Sequence, residues 1–271
     1  MSSVSTATSS WLALRSAADD AARSTELAVL LARLLPSGPV VLHDLGAGTG
    51  GMTRWLAPRL PGPQEWVLRD GDAGILEHLD LDAVADDAGR PIRIITSVEV
   101  LEALDSQAFT GASAVTASAL LDVVTRDEAA RIVDACVAAR VPALFSLSVT
   151  GVVVLDPADE LDAAIGAAFN AHQRRDADGR RLLGPDAAPA LARLFADAGW
   201  KVRTSSTPWH LGPADEPLAS AWLDGWVAAA VEQRPELAED AAAYLARRRA
   251  QLGGGALRVT VSHQDVLAWP R

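Results

Sequence analysis

The chain has a single cysteine, Cys136, so no disulfide framework and no cysteine-based metal site can form within one copy. Its setting, ARIVDACVAAR, reads as an apolar helix face, which suits a buried, inert thiol better than a nucleophile. Positive charge is also scarce: 24 basic residues against 35 acidic ones leave a net charge of −11. Nucleic acids and anionic lipid surfaces both select for a basic footprint, so neither is an expected partner. No segment holds the roughly 18 uninterrupted apolar residues that a membrane-spanning helix needs. The histidines and carboxylates show no metal-ligand spacing, and no metal is expected. The first ten residues, MSSVSTATSS, contain no apolar run of signal-peptide length. They are expected to be disordered, and the protein to be cytoplasmic.

Half of the composition does the opposite work. Hydrophobic residues make up 49% of the 271 positions, enough for a core that needs no covalent staples. Residues 11–35 read as one or two helices ended by Pro36. Strands are expected at 39–46, 65–72, 90–98, from 113, and at 141–151, with helices at 51–60, 73–88 and 125–140 between them. Thr125 followed by Glu128 is a capping box for the last of these helices. Such alternation means right-handed crossovers and a parallel sheet. Beyond 151 the pattern changes. A short extended piece and a helix precede a helix at 185–200, a sixth strand at 200–211, two helices, and a seventh strand at 257–269. No repeat and no low-complexity linker divides the chain, so one domain over 1–271 is expected.

The stretch VVLHDLGAGTGG, Val40 to Gly51, leaves a buried strand through four glycines in six positions. Gly46, Gly48 and Gly51 satisfy G-x-G-x-x-G, a weak signal alone and compatible with a plain strand–helix turn. Glycine lets a ligand approach the backbone, and the next helix offers free N–H groups. Asp44, two places before the first glycine, is unwelcome beside a pyrophosphate and welcome beside a ligand carrying an ammonium and a sulfonium. That tips the choice from a dinucleotide to S-adenosylmethionine. Asp70, about 20 residues past the glycines, ends the second strand, where a carboxylate can accept both ribose hydroxyls. Nicotinamide enzymes share this acid, and Asp72 is an alternative for it.

HDLGAGTGGMTRWLA, WVLRDGD and VTASALLDVV together resemble the class I S-adenosylmethionine-dependent methyltransferases. The resemblance implies an α/β Rossmann-like fold, a seven-stranded mostly parallel sheet in order 3-2-1-4-5-7-6 with strand 7 antiparallel, helices on both faces and an N-terminal helical lid. Residues 1–35 would form the tail and lid, 36–150 the cofactor half, and 151–271 the acceptor-side insert and last strands. It further implies that Gly46, Ala47 and Gly48 meet the methionyl part, beside the Asp44 that the charge argument puts there, and that Asp70 holds the ribose, with Gly71 next to it as a further cofactor-binding residue. Ala117 and Ser118 would lie near the cofactor amino group. For the adenine, Ser97 and Glu99 both stand open.

Three stretches offer acceptor chemistry. Asp122 lies just past the fourth strand, where its plain reading is a helix-start acid. Asn170, His172, Gln173 and Arg174 crowd one end of an otherwise apolar helix, with His172 as the candidate base and a solvated helix end as the ordinary alternative. Arg15, Asp19 and Arg23 recur every four residues on one face of the first helix, either as a surface ion-pair ladder or as a lid. As a lid, Arg15 meets an acidic acceptor, Arg23 the cofactor carboxylate, and Trp11 packs over the site. His43 is expected to be packed, and Trp222 and Trp226 to share a helix face in the core. The expected activity is methyl transfer to a small-molecule acceptor in bacterial specialised metabolism, with a homodimer as the assembly to test. An NAD(P)-dependent oxidoreductase and a non-catalytic cofactor-binding protein are the rivals.

Overall fold

The computed structural model describes residues 7–271. Of the ten N-terminal residues expected to be disordered, 1–6 lie outside the described ones. Ser9 and Ser10 already belong to a helix, α1 (Ser9–Ala22), because the Thr8 side chain accepts a hydrogen bond from the Trp11 amide at its start. Ser24 then caps α2 (Thr25–Leu34). The expected alternation follows: β1 (Val40–Leu45), α3 (Gly51–Leu56), β2 (Gln64–Asp70), α4 (Ala73–Leu76), β3 (Arg93–Val98), β4 (Ala114–Ser118), α5 (Arg126–Ala139) and β5 (Ala143–Asp156). The second half contains α6 (Asp162–Gln173), the two-residue strands β6 (Asp176–Ala177) and β7 (Arg180–Arg181), α7 (Ala187–Asp197), β8 (Lys201–Ser206), β9 (Trp209–Leu211), α8 (Glu216–Gln233), α9 (Ala238–Gly253) and β10 (Arg258–Trp269).

The main sheet runs β3-β2-β1-β4-β5-β10-β8, with β9 paired to β10. β1 pairs in parallel with β2 and β4, and β10 runs antiparallel to both β5 and β8. With β8 as the sixth and β10 as the seventh strand of the expected scheme, this is the order 3-2-1-4-5-7-6 with the last strand reversed. The capping box holds: Thr125 Oγ accepts from the Glu128 amide at 3.2 Å, and the Glu128 carboxylate accepts from the Thr125 amide at 2.8 Å.

Four elements depart from expectation, one of them the sixth strand, which breaks into β8 and β9. The helix expected over 73–88 stops after α4. Past it the Asp86 carboxylate accepts from the Ala88 and Arg90 amides and from the Arg90 guanidinium, fixing a turn in place of a helix. The fifth strand does not end at Gly151. Leu147 and Gly151 take positive φ, and the pairing with β10 shifts register in this stretch, so the glycine marks a bulge within one long strand. The hairpin β6–β7 was not expected.

Apolar residues form three clusters. One lies between β4, β5 and the helices α5 and α7, and a second between β1, β2 and the helices α2 and α3. The third joins the outer half of β5 and β10 to α6, α8 and α9. Asp265 of β10 fastens the α1–α2 corner to the sheet. Its carboxylate accepts from the Ser24 amide at 2.9 Å, the Leu147 amide at 2.8 Å and the Thr207 hydroxyl at 2.8 Å. That bond set places α1 across the ends of the strands.

Candidate functional site

A cavity of about 520 Å³ lies over the carboxyl ends of β1, β2 and β4, roofed by Trp11, Leu12, Arg15, Ser16 and Arg23 of the first helical corner. Its floor is the glycine turn. Gly46 has φ +59°, and a Cβ there would sit 2.8 Å from a Leu120 methyl. A Cβ on Gly48, at φ +55°, would meet Leu12 of α1 at 3.0 Å. Both positions combine a left-handed backbone with close approach, which only glycine meets without strain. Ala47 and Gly71 line the same cavity.

Asp70 projects into this space. One of its carboxylate oxygens accepts from the Gly48 amide at 2.9 Å and the other from the Asp72 amide at 3.0 Å. Each oxygen keeps a second lone pair for a ligand hydroxyl. Asp72 lines the cavity too, but its side chain caps α4 through the Gly74 and Ile75 amides. At the far end, Glu99 faces the cavity beside Val100 and Leu101 and pairs with Arg69. Ser97 is not among the lining residues.

Two expected contacts are set back from the cavity. Asp44 is 1% exposed and does not line it. It sits beneath the glycine turn, taking hydrogen bonds from the Thr116 hydroxyl at 2.7 Å and the Thr53 hydroxyl at 3.2 Å. The side chains of a strand alternate, and this one falls on the inward side. Burial raises its pKa to about 6, against the pull of the two hydroxyls and of the Arg23 charge. Ala117 is likewise in the core, whereas Ser118 faces the cavity. Arg23 donates to Ser118 Oγ at 3.1 Å and to Asp20 at 2.6 Å, and its Nε is buried without a partner. Burial lowers its pKa against the opposing charges of Asp19 and Asp20.

A second cavity, of about 220 Å³, opens beside the first, and Trp11, Arg15, Ala119 and Asp122 line both. Trp209, Trp222 and Phe169 supply aromatic wall, and Asn170, Gln173 and His263 supply polar atoms. Asp122 therefore stands at the junction of the two spaces. Burial raises its pKa, opposed by the charge of Arg15. The Arg15 guanidinium, expected to meet an acidic acceptor, is already engaged within the protein. Asp19 holds it through two bonds of 2.9 and 3.1 Å, and it lies 4.8 Å above the Trp209 ring. Trp209 Nε1 completes the group by donating to Asp19 at 3.1 Å.

His172 is a correction. It lines neither cavity. Its ring lies 3.2 Å from Glu232 and 3.3 Å from Arg175. Successive helical residues are about 100° apart, so Phe169, Asn170 and Gln173 of α6 share the cavity face while His172 turns toward α8. Burial, then Arg175, lowers its pKa against Glu232. Arg174 also leaves the site and pairs with Asp186 at 2.5 Å.

The histidine that does reach the inner cavity is His263, 3% exposed. Burial and the nearby Arg15 bring its pKa to about 4, so it is neutral. The alternation of Val259, Val261 and His263 on the buried face of β10 is the signal that would have found it. Trp222 stacks on Trp226 at 5.1 Å, but only Trp222 lines the cavity. His43 is packed, edge-on to Phe109 at 5.5 Å. Burial raises the Cys136 pKa. Among the described residues no three of His, Cys, Asp and Glu are placed to hold a metal, and no helix is long and apolar enough to cross a membrane.

No protein-family model and no curated protein matches the sequence. Among solved structures, a cyclopropane-fatty-acyl-phospholipid synthase-like protein from Lactobacillus casei superposes with a TM-score of 0.54. It covers 99% of this chain and 95% of its own, at 13% identity. An S-adenosylmethionine-dependent methyltransferase from Thiobacillus denitrificans, solved with S-adenosyl-L-homocysteine, gives a TM-score of 0.44 over 98% of this chain and 100% of its own, at 14% identity. A cyclopropane synthase from Mycobacterium tuberculosis gives 0.45 over 90% and 82%, at 16% identity. The chain has the class I methyltransferase fold.

Proposed function

We propose that the protein is an S-adenosylmethionine-dependent methyltransferase with a small-molecule acceptor. The observation that carries this reading is the pair of adjoining cavities, one floored by the glycine turn and Asp70, the other walled by aromatic rings, meeting at Asp122. A volume of about 520 Å³ lies within the usual range for a cofactor site. The cradle at Gly46 and Gly48, which side chains would fill, fits a ligand pressed against the backbone. Asp70 fits its ribose, Glu99 and its apolar neighbours its base, and the buried Arg23 with Ser118 its amino-acid end.

When bound, this cofactor supplies a methyl carbon on a positively charged sulfur, which a nucleophile's lone pair takes while sulfur keeps the bonding pair. The chain's own residues do the rest. Trp11 and the remainder of α1 keep water out. Asp122 orients the acceptor and takes its proton. The pair formed by Arg15 and Asp19, fixed by Trp209, shapes the passage between the two spaces. We further place the protein in the cytoplasm, as one domain with 1–35 as tail and lid, 36–150 as cofactor half and 151–271 as acceptor side. Bacterial specialised metabolism and a homodimer complete the reading.

Calorimetry separates this from nicotinamide chemistry. S-adenosylhomocysteine is expected to bind saturably, and NAD and NADP to give no saturable heat. Binding of either nicotinamide cofactor without the homocysteine compound overturns the reading.

Asp44→Asn tests the role of the carboxylate under the turn. The fold raises that pKa from 3.8 to about 6, so it favours the protonated form. The stability this contributes is complete below the ordinary value and is lost as pH rises through about 6. At neutral pH the ionised group therefore costs on the order of 1–3 kcal/mol. The variant is expected to be more stable than the native protein at pH 7 in denaturant titrations, with the gain fading toward pH 4. It should also bind the sulfonium cofactor less tightly relative to the homocysteine compound, whose sulfur is uncharged. A lower stability at pH 7 together with an unchanged ratio of the two affinities would remove the electrostatic role.

A further inference from the structure

We propose that the inner cavity takes a small, mainly apolar amine, bound as its ammonium ion. This names the acceptor class and rests on the methyl-transfer reading. Size sets the first limit. At about 220 Å³ the space is roughly half again as large as an apolar cavity that holds benzene, about 150 Å³. It admits a ring with a short side chain.

Charge sets the second. Arg15 is the cation in the wall, and Asp19 already neutralises it through two hydrogen bonds. Asp19 in turn is completed by Trp209, so the charge of Arg15 is already matched within the wall. Asp122 has no ion-pair partner among the described residues, and His263 is neutral. The lining carries one carboxylate, Asp122, which feels the charge of Arg15 without being paired to it, and Trp11, Trp209, Trp222 and Phe169 face the same space. Aromatic faces beside a carboxylate favour a cation.

The third limit is hydrogen bonding. Asn170 donates its amide to the Gly151 carbonyl at 2.8 Å, which fixes which way the side chain is turned. Its Oδ1 is then buried with no donor. Gln173 Oε1 is buried and equally unpartnered, and so is Nδ1 of His263, itself 3% exposed. Buried polar atoms without partners are rare in folded proteins and call for an explanation. A hydroxyl brings one donor, an ammonium two or three together with the charge. A carboxylate would bring none and would face Asp122. On transfer the nitrogen gives one proton to the Asp122 carboxylate and uses the freed lone pair to bond the methyl carbon. The methylated product leaves as an ammonium, and the former sulfonium as a neutral thioether.

The test uses the full chain loaded with S-adenosylhomocysteine, whose own binding heat reports separately on the methyl-transfer reading. Three probes of one shape are titrated by calorimetry and tryptophan fluorescence: 2-phenylethylamine, 2-phenylethanol and phenylacetate. The amine is expected to bind at least about tenfold tighter than the alcohol, and phenylacetate not to saturate. Asp122→Asn should lower the amine affinity by about tenfold or more while leaving the alcohol within about threefold. Gln173→Leu is the second variant should the first not fold, with a smaller loss confined to the amine. If S-adenosylhomocysteine fails to bind, the same titrations on the protein alone still read the cavity. An alcohol or carboxylate bound as tightly as the amine, or no saturable binding of any probe, overturns the proposal.

Discussion

Replacing Asp70 with alanine is expected to weaken S-adenosylhomocysteine binding by a factor of roughly 10² to 10⁴ without unfolding the protein. A charge-assisted hydrogen bond contributes about 1.5–3 kcal/mol. Two ribose hydroxyls on one carboxylate therefore carry about 3–6 kcal/mol, and each 1.4 kcal/mol is about tenfold in affinity. The same carboxylate joins two loops by accepting from the Gly48 and Asp72 amides. Both amides border the open cavity, so water can replace the lost acceptor, and the melting temperature should fall by only a few degrees. Asp70→Asn keeps an acceptor oxygen and should lie between alanine and the native residue. Calorimetry with the homocysteine compound and a thermal melt on the same samples check both halves. An alanine variant within about fivefold of native affinity would mean that the ribose is held elsewhere.

The position of Asp70, at the end of β2 and facing the cavity, was legible in the sequence. A carboxylate at the end of a strand, a fixed distance after a glycine turn, is a feature of local geometry, and local geometry is legible in a linear string. The same holds for Thr125 and Glu128, three residues apart and joined as read, and for the order of the sheet, which the alternation of strands and helices constrains. Legibility fails where a side chain's direction depends on partners far along the chain. Asp44 belongs to the right strand and the right turn, yet Thr116 of β4 binds it from below. Its influence on a ligand thus passes through the field and not through contact. His172 sits in the right helix but on the wrong side, since the turn of about 100° that separates it from Gln173 carries it toward α8. Asp19 looked like one rung of a ladder, and only Trp209, 190 residues away, makes it a buried anchor for Arg15. His263 was legible in principle by its period of two, but nothing local said that β10 would flank a cavity. Gly151 shows the limit from the other side, because a glycine ends a strand or bulges it according to what pairs alongside.

The largest loss of stability is expected from Asp162→Ala. Asp162 begins α6 and accepts hydrogen bonds from the Tyr244 hydroxyl at 2.7 Å and from Arg248 of α9. The Arg248 side chain has 0% exposure. Its remaining donors reach the Pro157 carbonyl at 2.6 Å and the Gln251 side chain at 2.8 Å, while its Nε has no partner. Those neutral acceptors do not balance a guanidinium that cannot shed its proton. Removing the carboxylate bonded to it leaves a buried cation with only the more distant charge of Asp159 against it, which costs about 3–5 kcal/mol. Against a typical total of about 5–15 kcal/mol this is a large share, and it should lower the melting temperature by roughly 10 °C. Guanidinium titration gives the free energy directly. The decisive comparison is the double variant Asp162→Leu, Arg248→Leu, in which both charges go together. Its loss should be smaller than that of Asp162→Ala alone, because apolar replacement of a whole buried pair is often near neutral. The consequence reaches the inner cavity, since α6 carries Phe169, Asn170 and Gln173 into it and the Asp162–Arg248 pair ties the start of that helix to α9. Probe binding there should weaken with the single change and recover in part with the double one. A single variant within about 1 kcal/mol of the native protein would show that Arg248 is neutralised without Asp162.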